Sequence, residues 1–154
     1  MSGSNQTLGS LLATALGSMT TLPTVGGGWD TAPVAAWSPE FDREEIQNGG
    51  LQCYVFPMGH EPQQVDRAGR LNPDTLLEVH VAVLLPRSRD GDYAEGGQAV
   101  RAAELVIEAT LGQQIAVAGF RCVECEHDPV ISKEYLRENR LWCSYLKTFW
   151  RKVS

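Results

Sequence analysis

The chain has 154 residues, 43% of them hydrophobic and 21% charged, an ordinary composition for one globular domain with its own core. Its formal net charge of −6 argues against nucleic acid as the main partner. No stretch approaches the ~20 apolar residues that a bilayer-spanning helix needs.

The charge is unevenly placed. From Lys133 onward six basic residues stand against two acidic ones, a local +4 that leaves −10 for the preceding part. Opposite charge on two regions of one subunit suits head-to-tail assembly, and it suits the solvated faces of an acidic protein equally well. The start, "MSGSNQTLGSLLATALGSM", has no Lys or Arg ahead of its apolar residues, so it makes a poor secretory signal. Synthesis in the cytoplasm is therefore expected, with Cys53, Cys122, Cys125 and Cys143 as reduced thiols.

In chain order, Leu8, Leu11, Leu12, Ala15, Leu16 and Met19 recur at the spacing of one helical face and predict a short amphipathic helix. Next comes "TTLPTVGGGWDTAP", whose three successive glycines and two prolines predict no regular element. It reads as a flexible connector or as an arm that orders against a partner. Trp29 within it is the anomaly, because a loop tryptophan needs something to pack on. "PVAAW" is a candidate first strand and "LQCYVFPM" a second. "LLEVHVAVLLP" predicts a third, with Leu77, Val79, Val81, Val83 and Leu85 on one face and Glu78, His80, Ala82 and Leu84 on the other. The polar stretch 59–74 between the last two exceeds an ordinary hairpin loop, and loops of that length are often functional. A main helix is expected over 92–111, with Ala99, Val100, Ala103, Val106, Ile107 and Leu111 inward and Gly112 ending it. "IAVAGFRCVECE" then predicts a strand, "HDPVISKEYLREN" a turn or short helix, and "RLWCSYLKTFWRK" a final strand. The expected fold is a single α+β domain, a mainly antiparallel sheet packed against one long helix plus a short N-terminal helix. Residues 1–33 form the short helix and Gly/Pro-rich arm, and 34–154 the α+β domain.

The stretch "CVECEH" concentrates two cysteines and a histidine, the residue types of a metal or redox site. On a regular strand Cys122 and Cys125 point to opposite faces, where they can neither close a disulfide nor clamp one metal ion. A redox CxxC sits at a helix N-terminus, which this is not. Cys143, His60 and His80 are isolated in the sequence, so neither a metal nor another cofactor is expected. A small metal-dependent enzyme or metal-binding protein using Cys122, Cys125 and His127 stands as an alternative. No nucleophile elbow, P-loop or HExxH frames the histidines. Glu124 and Glu126 share a strand face but lack an apolar pocket to perturb them. No enzyme is expected.

Across residues 34–152 the arrangement resembles the tail terminator (tail completion) proteins of long-tailed bacteriophages. The resemblance rests on "LQCYVFPMGHEP" and the charged loop after it, on "LLEVHVAVLLP" followed by one long helix, and on "CEHDPVISKEYLRENRLWCSYLKTFWR". It implies a structural virion protein of the tail or neck, assembled in the cytoplasm as a homo-oligomeric, typically hexameric, ring. Such a ring caps the tail tube protein, ends its polymerisation and meets the head–tail connector, while viral DNA passes through the lumen without specific binding. An acidic surface suits that lumen, because phosphates are repelled. No membrane is involved. On this reading Trp29, Arg67, Arg70, Lys147, Arg151 and Lys152 are contacts between subunits or to the tube and connector. Other neck, head-completion or tail tube proteins, and a monomeric or dimeric cytoplasmic interaction domain, are the alternatives.

Overall fold

A computed structural model describes residues 3–37, 46–60 and 76–153. The elements run α1 (Gly3–Leu16), β1 (Val34–Ala35), β2 (Gln52–His60), β3 (Leu76–Pro86), α2 (Tyr93–Leu111), β4 (Phe120–His127), α3 (Lys133–Asn139) and β5 (Leu141–Lys152). The strands form one sheet in the order β1-β2-β3-β5-β4. Only the two-residue β1 joins in parallel; the other neighbours are antiparallel. The expected α+β class is the one observed.

The alternation in β3 decides the layering. Leu77, Val79, Val81 and Val83 are sealed in a core with Leu8, Leu12 and Leu16 of α1, Ala102, Ala103 and Val106 of α2, and Leu146 and Trp150 of β5. Burying each large aliphatic chain contributes roughly 1.5–3 kcal/mol, so this layer carries most of the stability. On the other face Ala82 and Leu84 join Ile46, Phe56, Leu141 and Cys143 in a smaller cluster, with Tyr135 of α3 packed against it.

Both main helices approach the sheet closely through glycines. At Gly9 of α1 an added Cβ would come 2.5 Å from the Pro57 ring, and at Gly96 of α2 it would come 2.8 Å from the Trp142 indole. Asp92 caps α2 by accepting the Glu95 backbone N–H at 3.2 Å. Gly112 ends the helix as expected, but the left-handed residue that turns the chain is Gln113, at φ 56°. The buried face of α2 is rotated from the expected one. Ala99, Ala103 and Val106 are buried, together with Ala102, Ala109 and Thr110, whereas Val100 and Ile107 are half-buried and Leu111 is exposed. At Gly96 the physical reason is steric: a side chain there would meet the Trp142 ring of β5, so the small side of the helix faces the sheet.

Three other segments differ from expectation. The connector after α1 is packed rather than loose: Leu22 is buried, and its N–H bonds the Gly27 carbonyl at 2.7 Å. The Trp29 indole N–H donates to the Leu16 carbonyl at 2.8 Å, and the Asp30 carboxylate accepts the Leu51 N–H at 2.8 Å. The strand expected over "PVAAW" shrinks to Val34–Ala35, and β4 begins only at Phe120. Residues 115–119 are spent on leaving α2, with the Ile115 N–H still bonded to the Ala109 carbonyl and Gly119 at φ 82°.

Candidate functional site

The thiol strand overturns one expectation outright. Cys122 and Cys125 lie on the same face of β4, with their sulfurs 3.6 Å apart. A β-bulge is the cause. Cys122 stands opposite Trp150 and Glu124 opposite Phe149, so the register shifts by one residue between them. The extra residue, Val123, resets the alternation, and positions three apart behave like positions two apart. Cys122 is buried and Cys125 half-buried. The Thr110 hydroxyl of α2 lies 3.7 Å from the Cys125 sulfur.

The two thiols are electrostatically unequal. Hydrogen bonding from Cys122 stabilises a Cys125 thiolate and pulls its pKa down; burial opposes this and the Thr110 hydroxyl assists. The same shared proton, together with burial, drives Cys122 up. Cys53 and Cys143 behave as inert core thiols, both pushed up by burial, Cys143 to about 12. Cys122 also lines an open cavity of about 360 Å³ between the end of α2 and β4, together with Thr110, Val117, Phe120 and Trp150. His127 lies further along the strand, where its Nε2 meets the Ser144 hydroxyl at 2.6 Å. Burial lowers its pKa and Glu104 partly restores it. Among the described residues no three His, Cys, Asp or Glu side chains are grouped to hold a metal ion.

The sheet face turned away from α1 and α2 carries a second polar group. His80 is nearly sealed, with Nδ1 2.8 Å from the Tyr145 hydroxyl and Nε2 2.5 Å from the Glu78 carboxylate. Burial foremost, then the nearby Cys143, Tyr135 and Glu78, pushes the Tyr145 hydroxyl up to about 12. That phenol serves as a hydrogen-bonding partner rather than a proton source near neutrality. The arrangement satisfies a buried histidine; it presents no nucleophile.

The candidate contact residues are distributed, not gathered. Lys147 is half-buried on the same face as His80 and stands across from Glu126. Arg151 and Lys152 are exposed at the end of β5, and Arg151 stands directly opposite Arg121. Trp29 lies against the chain's own core with its N–H satisfied. Arg67 and Arg70 fall outside the described residues. Sequence reasoning missed Thr110 and Tyr145, whose partners are 15 and 65 residues away and leave no local pattern.

Fold and site together define a single-domain α+β protein with a bulged dithiol strand at the outer side of its sheet. No family model matches the chain, and no curated protein matches it. A similar chain among solved structures belongs to the "Virion of native gene transfer agent (GTA) particle". It is 14% identical, with a TM-score of 0.40, over 93% of this chain and 84% of that one. At that level no function is read from it. Among the described residues no helix is long and apolar enough to cross a membrane.

Proposed function

We propose that this chain is a structural virion protein, a tail terminator that assembles into a ring on the end of a tail tube. The ring stops tube polymerisation and offers its other surface to the head–tail connector; its role is structural. The observation that carries this reading is the charge arrangement on β4 and β5. Arg121 and Arg151 face each other across the two strands with Lys152 alongside, while Glu124, Glu126 and Asp128 follow toward the opposite end of β4. Like charges placed directly opposite disfavour the pairing that holds them. An interface that brings carboxylates to the basic end relieves this, and the acidic end of an identical neighbour supplies them. Such a contact joins two different patches, which is the heterologous geometry that closes rings.

On the same reading Lys147, Arg67 and Arg70 belong to contacts with neighbouring subunits, tube or connector, with guanidinium groups meeting carboxylates, whereas Trp29, expected among those contacts, packs on the chain's own core instead. The test is the mass of the purified full chain in solution, combined with electron microscopy of the same sample. A ring of six copies with a central opening is the expected result. A monomer at all accessible concentrations, both alone and with tail tube protein, would remove the terminator reading.

A further inference from the structure

We propose that Cys122 and Cys125 form a dithiol oxidation site, at which a hydroperoxide closes an intramolecular disulfide across the β4 bulge. The inference stands on geometry and is independent of the virion reading. A regular strand would part these sulfurs; the bulge brings them to 3.6 Å. Their partners on β5, Trp150 and Thr148, are two residues apart, so the cysteine backbones are separated by about two strand rises, roughly 6.5 Å. That separation lies inside the range a disulfide spans, toward its wide end. Closure therefore asks the sulfurs to turn toward each other, with little movement of the strand.

The environment divides the labour. Cys125 is half-buried, so a small oxidant reaches it, and its sulfur lies 3.6 Å from the Cys122 sulfur and 3.7 Å from the Thr110 hydroxyl oxygen. The species that attacks a peroxide is its thiolate, and Cys125 is the more accessible of the two sulfurs. Cys122 is buried beside it as the resolving thiol. The Cys125 thiolate attacks one peroxide oxygen, the O–O bond breaks, and the other oxygen leaves as water after taking a proton. The resulting Cys125 sulfenic acid is then attacked by the Cys122 sulfur: the S–S bond forms, the S–O bond breaks, and the hydroxyl leaves as water with the Cys122 proton. Both thiols are oxidised, one electron from each, and hydrogen peroxide is reduced to water. The other two cysteines do not compete. Cys53 on β2 and Cys143 on β5 are each 1% exposed, and they lie on opposite faces of the sheet.

The test uses the reduced full chain and a small molar excess of hydrogen peroxide, followed by alkylation, tryptic digestion and mass analysis. Arg121 and Lys133 bound a peptide that contains these two cysteines and no others. Its expected form has lost two hydrogens, resists alkylation and becomes alkylated again after dithiothreitol, while Cys53 and Cys143 remain alkylatable. Cys122→Ser should trap a sulfenic acid on Cys125 that dimedone labels, whereas Cys125→Ser should leave Cys122 unoxidised at the same dose. Full alkylation of the wild-type peptide after peroxide would overturn the proposal. Oxidation of Cys125 to sulfinic acid without a disulfide would also overturn it, as would disulfides between chains in place of the internal one.

Discussion

The sheet face beneath α1 and α2 is lined by Val79, Val81, Val83, Leu146 and Trp150, whereas the opposite face sets Glu78, His80, Tyr145 and Lys147 beside a smaller apolar cluster. Within the first face a pair of polar side chains closes on the strand itself. Thr148 donates to the Val79 carbonyl at 2.6 Å and accepts the Trp150 indole N–H at 2.7 Å. The second face places a histidine between a carboxylate and a phenol. One face is held by volume and dryness, the other by directional partners. They should therefore fail in different ways: the helix side by large losses of stability, the polar side by small losses and by changes in what the molecule contacts.

The largest effect is expected at Val106, fully buried in the centre of α2. Val106→Asp places an unpaired charge there and should cost about 4 kcal/mol or more, removing the cooperative urea transition. Ile107→Asp, at a half-buried position one residue on, should cost distinctly less. Equal losses would mean that α2 is rotated from the face described. Next comes Gly96→Val, which drives a branched side chain into the Trp142 ring and should cost about 2 kcal/mol, read from the same melts. A neutral result would show that α2 can lift from β5 at little cost.

These two positions also mark what the sequence made legible. Val106 is found from helical periodicity alone, and the two faces of β3 from simple alternation, because both patterns repeat along the chain. The rotation of α2 is not found that way: at Gly96 it depends on the Trp142 ring, 46 residues later in the chain. The bulge is harder still. "CVEC" contains no glycine or other bulge signal, so strict alternation gave opposed thiols, and only pairing with Trp150 and Phe149 reveals the extra residue. The packed connector had one signal, Trp29, whose need for a partner was legible although the partner, the Leu16 carbonyl, was not.

On the polar face the expected losses shrink. Tyr145→Phe removes the hydroxyl that pairs with His80 Nδ1 and should cost about 1 kcal/mol, leaving a buried ring nitrogen without its partner. A loss as large as that of Val106→Asp would place this network in the load of the core and erase the contrast between the faces. A pH titration sharpens it from the helix side. Burial lowers the His127 pKa in the folded state below its ordinary 6.5. Between the two values the unfolded chain binds more protons, so stability contributed by neutral His127 is present above 6.5 and is lost as pH falls toward the folded value. Part of the decline in melting temperature over that window should disappear in His127→Gln. An unchanged decline would assign it to other groups.

The smallest effect on stability, and the largest proposed effect on assembly, belongs to Arg151→Glu. Arg151 is exposed on the last strand, directly opposite Arg121, so replacing it with a carboxylate exchanges a like-charge pair for an opposite one. Cross-strand pairs of this kind are worth roughly 0.2–1 kcal/mol, so the isolated subunit should melt unchanged or a few tenths of a kcal/mol higher. The ring should behave in the opposite sense. If the basic end of β4 and β5 receives the carboxylates of a neighbour, the new glutamate meets like charge there, and pairing within the subunit also takes Arg121 away from the interface. Sedimentation of the variant should then show monomers under conditions in which the wild type forms rings, and adding Lys152→Glu should deepen the defect. Stable rings from the doubly reversed protein would locate the subunit contact elsewhere, with Arg67 and Arg70 the next residues at which to reverse charge.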